Sequence, residues 1–175
     1  MNKYVGAALA LVFSASAAFA AERPIGEPVE RDGMKVGAVY LQGVTMDPVD
    51  HNHGDGDIHL EADIHALKNN PNGFAAGEWI PNLGITFTMT KKDDPSFSAS
   101  GKLVPMVAND GPHYGMNVKM GGPGKYHLVF NVTPPTENGF YRHIDKETGV
   151  KPFWKAFTQE YDFTYVGSTG KKGGY

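Results

Sequence analysis

Apolar and polar side chains alternate along several stretches of the chain, the period-two pattern of strands with one face turned to a core. Val36, Ala38 and Tyr40 alternate in the first stretch, and Ile58, Leu60, Ala62 and Ile64 in the second. Leu83, Ile85, Phe87 and Met89 alternate with Gly84, Thr86, Thr88 and Thr90. Tyr126, Leu128, Phe130 and Val132 make the clearest late run, and Tyr161, Phe163 and Tyr165 close the series. Turn signals punctuate them: Asn72-Gly73, Asp110-Gly111-Pro112, the run from Gly121 to Gly124, Pro134-Pro135 and Asn138-Gly139. No stretch longer than about ten residues keeps a helical period without a breaker, so little helix is expected. About seven short strands with this punctuation predict an all-β fold, an immunoglobulin-like antiparallel β-sandwich without a cysteine pair.

Composition agrees with that reading. The 175 residues include 22 Gly and 12 Pro, above the usual combined share of about 12%. Residues 1–20 carry Lys3, an apolar run from Val5 to Phe13 and the small-residue ending Ala18-Phe19-Ala20, the order of a cleavable secretory signal. A mature chain starting at Ala21, a single domain over 21–166 and a flexible Gly- and Lys-rich tail over 167–175 are expected. The leader's apolar run is shorter than the roughly 20 residues a membrane span needs. No later stretch approaches that length, and no Cys is present to carry a lipid anchor, so a soluble exported protein is expected, periplasmic in a Gram-negative cell. The 16 basic and 19 acidic residues give a net charge of -3, which loss of Lys3 takes to -4. That balance offers no cationic stripe for a phosphate backbone, so nucleic acid is not an expected partner. The absence of Cys excludes disulfides, thiolate zinc sites, iron-sulfur clusters, blue copper centres and cysteine nucleophiles. Seven His and seven Met remain as candidate metal ligands.

The segment Ile58 to His65 is the most informative, because its apolar set faces one side and His59, Glu61, Asp63 and His65 face the other. Alternate residues on a strand lie about 6.6–6.8 Å apart, so neighbours such as His59 and Glu61 can reach one cation or two nearby positions. A solvated polar face is the alternative. In the stretch Pro105 to Met116, turn residues separate Met106 from His113, and a loop there can bring a soft thioether and an imidazole together, a pair suited to copper. Met34, Met46, Met89, Met116 and Met120 read as packing residues. His143 stands in a loop, His127 on the polar side of its strand, and Trp79 and Trp154 read as core anchors. The run Asp50 to Asp57 invites comparison with an EF-hand, but Asp55 stands where the turn requires Gly. It reads as a polar loop whose His51 and His53 could catch metal loosely.

With these residues in view, the chain resembles the dimeric periplasmic iron-transport proteins of Gram-negative bacteria, copper-binding proteins found beside an inner-membrane iron permease. The likeness is carried by Pro24-Ile25-Gly26, Val39 to Gln42, Ile58 to Ala66, Asn72-Gly73-Phe74, Gly77 to Pro81, Pro105 to Gly115, Gly124-Lys125-Tyr126 and His143 to Val150. The resemblance implies an immunoglobulin-like homodimer with one metal site per subunit near the dimer interface. Its ligand positions fall on His59, Met106, His113 and His143, with Glu61 as the alternative ligand, and its cargo is copper ion and iron ion. It implies a non-enzymatic transport accessory. A copper-dependent redox protein acting on iron and a metal-independent interaction module stay open beside it.

Overall fold

A computed structural model of the chain describes residues 22–49 and 54–170. The expected leader at 1–20, His51 and His53 of the polar loop, and the last five residues of the tail lie outside them. The alternating segments form strands where their pattern predicts: β3 (Met34–Gln42), β4 (Ile58–Ala66), β5 (Gly84–Lys91), β8 (Gly124–Thr133) and β9 (Phe157–Tyr165). Short strands β1 (Arg23–Pro24) and β2 (Val29–Arg31) both pair with β3. The stretch expected to be a loop is instead a hairpin of β6 (Asp94–Ala108) and β7 (Gly111–Val118), turning at Asn109 and Asp110. Helix among the described residues is confined to a 3-10 turn, Pro135–Asn138, and no helix there is long and apolar enough to cross a membrane.

Every strand pairing is antiparallel. The strands follow one continuous path, β1-β3-β4-β7-β6-β5-β8-β9, with β2 also on β3. Continuity comes from β6, which pairs with β5 through Ser98 to Leu103 and then with β7 through Val104 to Ala108. The path curls back on itself. The Tyr161 hydroxyl of β9 donates to the Val36 carbonyl of β3 at 2.9 Å, and the Tyr40 ring lies 5.6 Å from Phe163 and 5.9 Å from Tyr165. Inside the curl the predicted apolar sets close one core, with Ile58, Leu60, Ile64, Ile85, Leu128 and Phe130 fully buried. Trp79 and Trp154 pack against that core while half-buried. The tail expected to be flexible is anchored at its start, where Ser168 Oγ donates to Gln42 Oε1 at 2.7 Å.

The outer side of β4 is what positions the site. Register places Leu41, His59, Asn117 in one row across β3, β4 and β7, and Val39, Glu61, Gly115, Val104 in the next, which continues onto β6. His113 pairs with Met106 one step further along the hairpin. Beyond Ala62 the edge of β4 left by β7 is taken over by residues 77–80. There Ile80 donates to the Ile64 carbonyl and Ala66 to the Glu78 carbonyl, which sets Trp79 opposite His65.

Candidate metal centre

The polar face of β4 is buried at His59, 1% exposed, and Glu61, 4%, and half-buried at Asp63 and His65; His113 of β7 beside it is 5% exposed. Burying three ionisable groups together is costly unless they are paired or serve a ligand. His59 Nε2 lies 3.7 Å and His113 Nε2 3.5 Å from Glu61 Oε1, and one donor atom from each residue falls within 4.8 Å of the others. The two imidazoles stand nearly perpendicular with centroids 5.7 Å apart. His113 Nε2 is buried with no hydrogen-bond partner, a state that a bound cation would relieve.

Gly115 makes the convergence possible. A Cβ at this position would lie 2.5 Å from His59 Nε2 and 3.2 Å from Met106 Sδ, so the imidazole and the thioether meet in space that any side chain would fill. The site therefore gathers two nitrogens, one sulfur and one carboxylate, a donor set that matches copper and tolerates iron. These residues fit a transition-metal ion.

Glu61 and His113 line two cavities at once. One, of about 780 Å³, is mainly apolar and is walled by His59, Met106, Met46, Leu41 and Pro48. The other, of about 360 Å³, is acidic and contains Glu22, Asp63, Asp110, His65 and Trp79. Burial, with added repulsion from Asp63, Glu22 and Asp110, pushes the Glu61 carboxyl up to about 8. Burial and the neighbouring Asp63 and Asp110 likewise push Glu22 to about 7. Asp63 is raised by burial against the opposing pull of His113 and His65, and burial lowers His113. Without a cation, burial favours the protonated form of Glu61 and Glu22 and the neutral form of His113.

Of the residues expected to bind metal, His59, Glu61, Met106 and His113 are brought together. His143 stands apart, with its side chain 75% exposed on the loop after the 3-10 turn. Thr148 Oγ1 donates to Asp145 Oδ2 at 2.7 Å, so it accepts from His143 Nδ1–H at 2.7 Å, which leaves the lone pair on Nε2 of this exposed side chain. Met46, read from sequence as packing, shares the apolar cavity with Met106. His127 is a partly exposed surface residue held by Asp162 at 2.8 Å. Sequence reasoning missed Gly115, Asn117, Glu22 and Asp110. Gly115 and Asn117 act through the register of β7 against β4, which the local pattern does not set, and nothing in the sequence brings Glu22 to Asp110.

Comparison with known proteins places these features. A family model described as Fe2+ transport protein matches residues 19–167. A UPF0423 protein of Brucella abortus is 50% identical over 182 aligned positions, covering 99% of both chains. Among solved structures, a copper-bound variant of FetP from uropathogenic Escherichia coli strain F11 is 48% identical with a TM-score of 0.81, covering 84% of this chain and 99% of that one. Copper-reconstituted P19 from Campylobacter jejuni is 47% identical with a TM-score of 0.82, covering 85% and 98% respectively. A further FetP structure is of protein expressed in the periplasm of E. coli.

Proposed function

Because the chain belongs to the Fe2+ transport protein family, we propose that it is a periplasmic metal-binding protein that holds copper and iron and assists iron uptake through an inner-membrane permease. The observation that carries this reading is the buried meeting of His59, Glu61, His113 and Met106 at the border of an apolar and an acidic cavity. His59, His113 and Met106 would hold copper through soft and borderline donors. Glu61, shared with the acidic cavity, would supply the oxygen-richer position that suits iron. We read the curled strand path as an immunoglobulin-like sandwich with β6 passing between its layers. We also read the working form as a homodimer in which Nε2 of His143 completes the site of the second copy. The copper-bound state of related FetP and P19 supports the copper part of the reading.

A copper-dependent redox protein acting on iron would use the same ligands. The Met106 thioether favours keeping that reading, since a soft donor stabilises reduced copper. Titration of the metal-free protein with Cu(II), followed by electron paramagnetic resonance, tests the site directly. One tight nitrogen-coordinated ion per subunit is expected, lost in His113→Ala. Weak binding that ignores the substitution would overturn the assignment. Glu61→Gln should weaken Fe(II) more than Cu(II), and equal losses would remove the division of labour between the two positions.

A further inference from the structure

Asn117 is buried on β7, directly across from His59 on β4. Its side-chain amide engages both parts of the region around the site. Nδ2 donates to the Val44 carbonyl at 2.8 Å and the Gly54 carbonyl at 2.9 Å, while Oδ1 accepts from Val44 N–H at 3.2 Å. With the nitrogen facing two carbonyls and the oxygen facing an N–H, the amide can sit only one way round. The contact of His59 Nδ1 with Asn117 Oδ1 at 3.0 Å must then be a donation from the histidine. A neutral imidazole carries one N–H, so His59 Nε2 holds the lone pair, and it is Nε2 that lies over Gly115 and faces Glu61.

We infer that Asn117 is the positioning residue that presents His59 Nε2 as a metal donor and ties that donor to Val44 and Gly54, an inference that rests on the metal-binding function proposed above. Val44 and Gly54 stand near the two ends of the chain between β3 and β4, and one amide clips both to β7. That same connection supplies Met46 and Pro48 to the wall of the apolar cavity. Aim of the ligand and anchoring of Val44, which lines the same cavity, thus share one side chain. Asn meets both demands at once. Asp keeps the acceptor for His59 but turns a carboxylate oxygen toward two carbonyls, and Leu keeps the bulk while losing every polar contact.

Outer partners that orient a ligating histidine commonly change metal affinity about 10–100-fold when removed. The test begins with the metal-free wild type, in which long-range proton-nitrogen correlation spectra report the tautomer of His59 without any metal. The Nδ1–H form is expected. Asn117→Leu should lose that preference, lower Cu(II) affinity about 10–100-fold and alter the copper hyperfine splitting. Asn117→Asp should keep the Nδ1–H form and a near wild-type copper spectrum, an outcome that loss of packing alone would not produce. The Nε2–H form in the wild type would overturn the inference, and so would an unchanged tautomer and spectrum in Asn117→Leu. If Asn117→Leu does not fold, the wild-type tautomer and Asn117→Asp decide. Failure of the wider reading is distinguishable, because wild-type copper binding would then be weak whichever tautomer His59 adopts.

Discussion

At Gly115 the missing side chain is the functional feature. In Gly115→Ala the new methyl would meet His59 Nε2 at 2.5 Å, well inside contact distance, and Met106 Sδ at 3.2 Å, so both donors must retreat from their meeting point. Cu(II) affinity, measured by competition with a chelator, should fall by about tenfold or more, as for other disturbed ligand shells. Glu61 makes a different prediction. An acid whose pKa is higher in the folded chain than in the unfolded one holds its proton more tightly when folded, so stability is lost as pH rises through that interval. For Glu61 the interval runs from its ordinary 4.5 to about 8. Scanning calorimetry of the metal-free protein should show the unfolding temperature dropping across this range. Glu61→Gln should flatten part of the drop, leaving the share due to Glu22, which rises to about 7. His59 and Glu61 were legible in the sequence from residue type and strand alternation, Met106 and His113 as a soft and a borderline donor expected to meet through a loop, and the set as a whole only through the family resemblance. Gly115 and Asn117 were not, because their roles exist only through the register of β7 against β4.

Strands announce themselves by alternation only where one face meets the core with bulky side chains. β4, β5 and β8 satisfy this condition, with Ile58, Leu60, Ile64, Ile85, Leu128 and Phe130 all fully buried. β6 escapes notice because its alternate positions Phe97, Ala99, Gly101 and Leu103 include two small residues, and Leu103 alone of its residues is fully buried. Gly101 has to be small there, since a Cβ would come within 2.7 Å of Met116 Sδ and 3.0 Å of Phe87. Further along, Val104 and Met106 are apolar on the opposite face because they line the site cavity, which blurs the pattern again. The hairpin is held down by Tyr114. Its hydroxyl donates to the Ile80 carbonyl at 2.8 Å and accepts Leu83 N–H at 2.9 Å, tying β7 to the chain entering β5. Tyr114→Phe would leave both buried backbone groups unsatisfied, at a cost of about 1–3 kcal/mol. Urea unfolding should show that loss while the Cu(II) spectrum of the folded variant stays unchanged, since the hydroxyl points away from the metal ligands.

For the molecule as a whole, the placement of His143 decides how many chains make one site. His59, Glu61, Met106 and His113 converge within one chain, whereas His143 is exposed, with Nδ1 engaged by Thr148 and the lone pair on Nε2. If a second copy supplies that nitrogen, as proposed, metal binding and association are linked: copper should tighten the dimer, and dilution should weaken copper binding by mass action. Mixing variants tests this more sharply than either variant alone. His113→Ala cannot hold metal in its own site but can lend His143, and His143→Ala has its own four residues intact but nothing to lend. In a mixed dimer the His143→Ala subunit keeps its own His113 and receives His143 from its neighbour, so one complete site forms. Equimolar mixing, followed by exchange of subunits, should therefore recover wild-type copper resonance at up to one site per mixed dimer, where each variant alone shows none of that signal. Equal binding by His143→Ala and wild type at every protein concentration would instead make the site a property of the single chain.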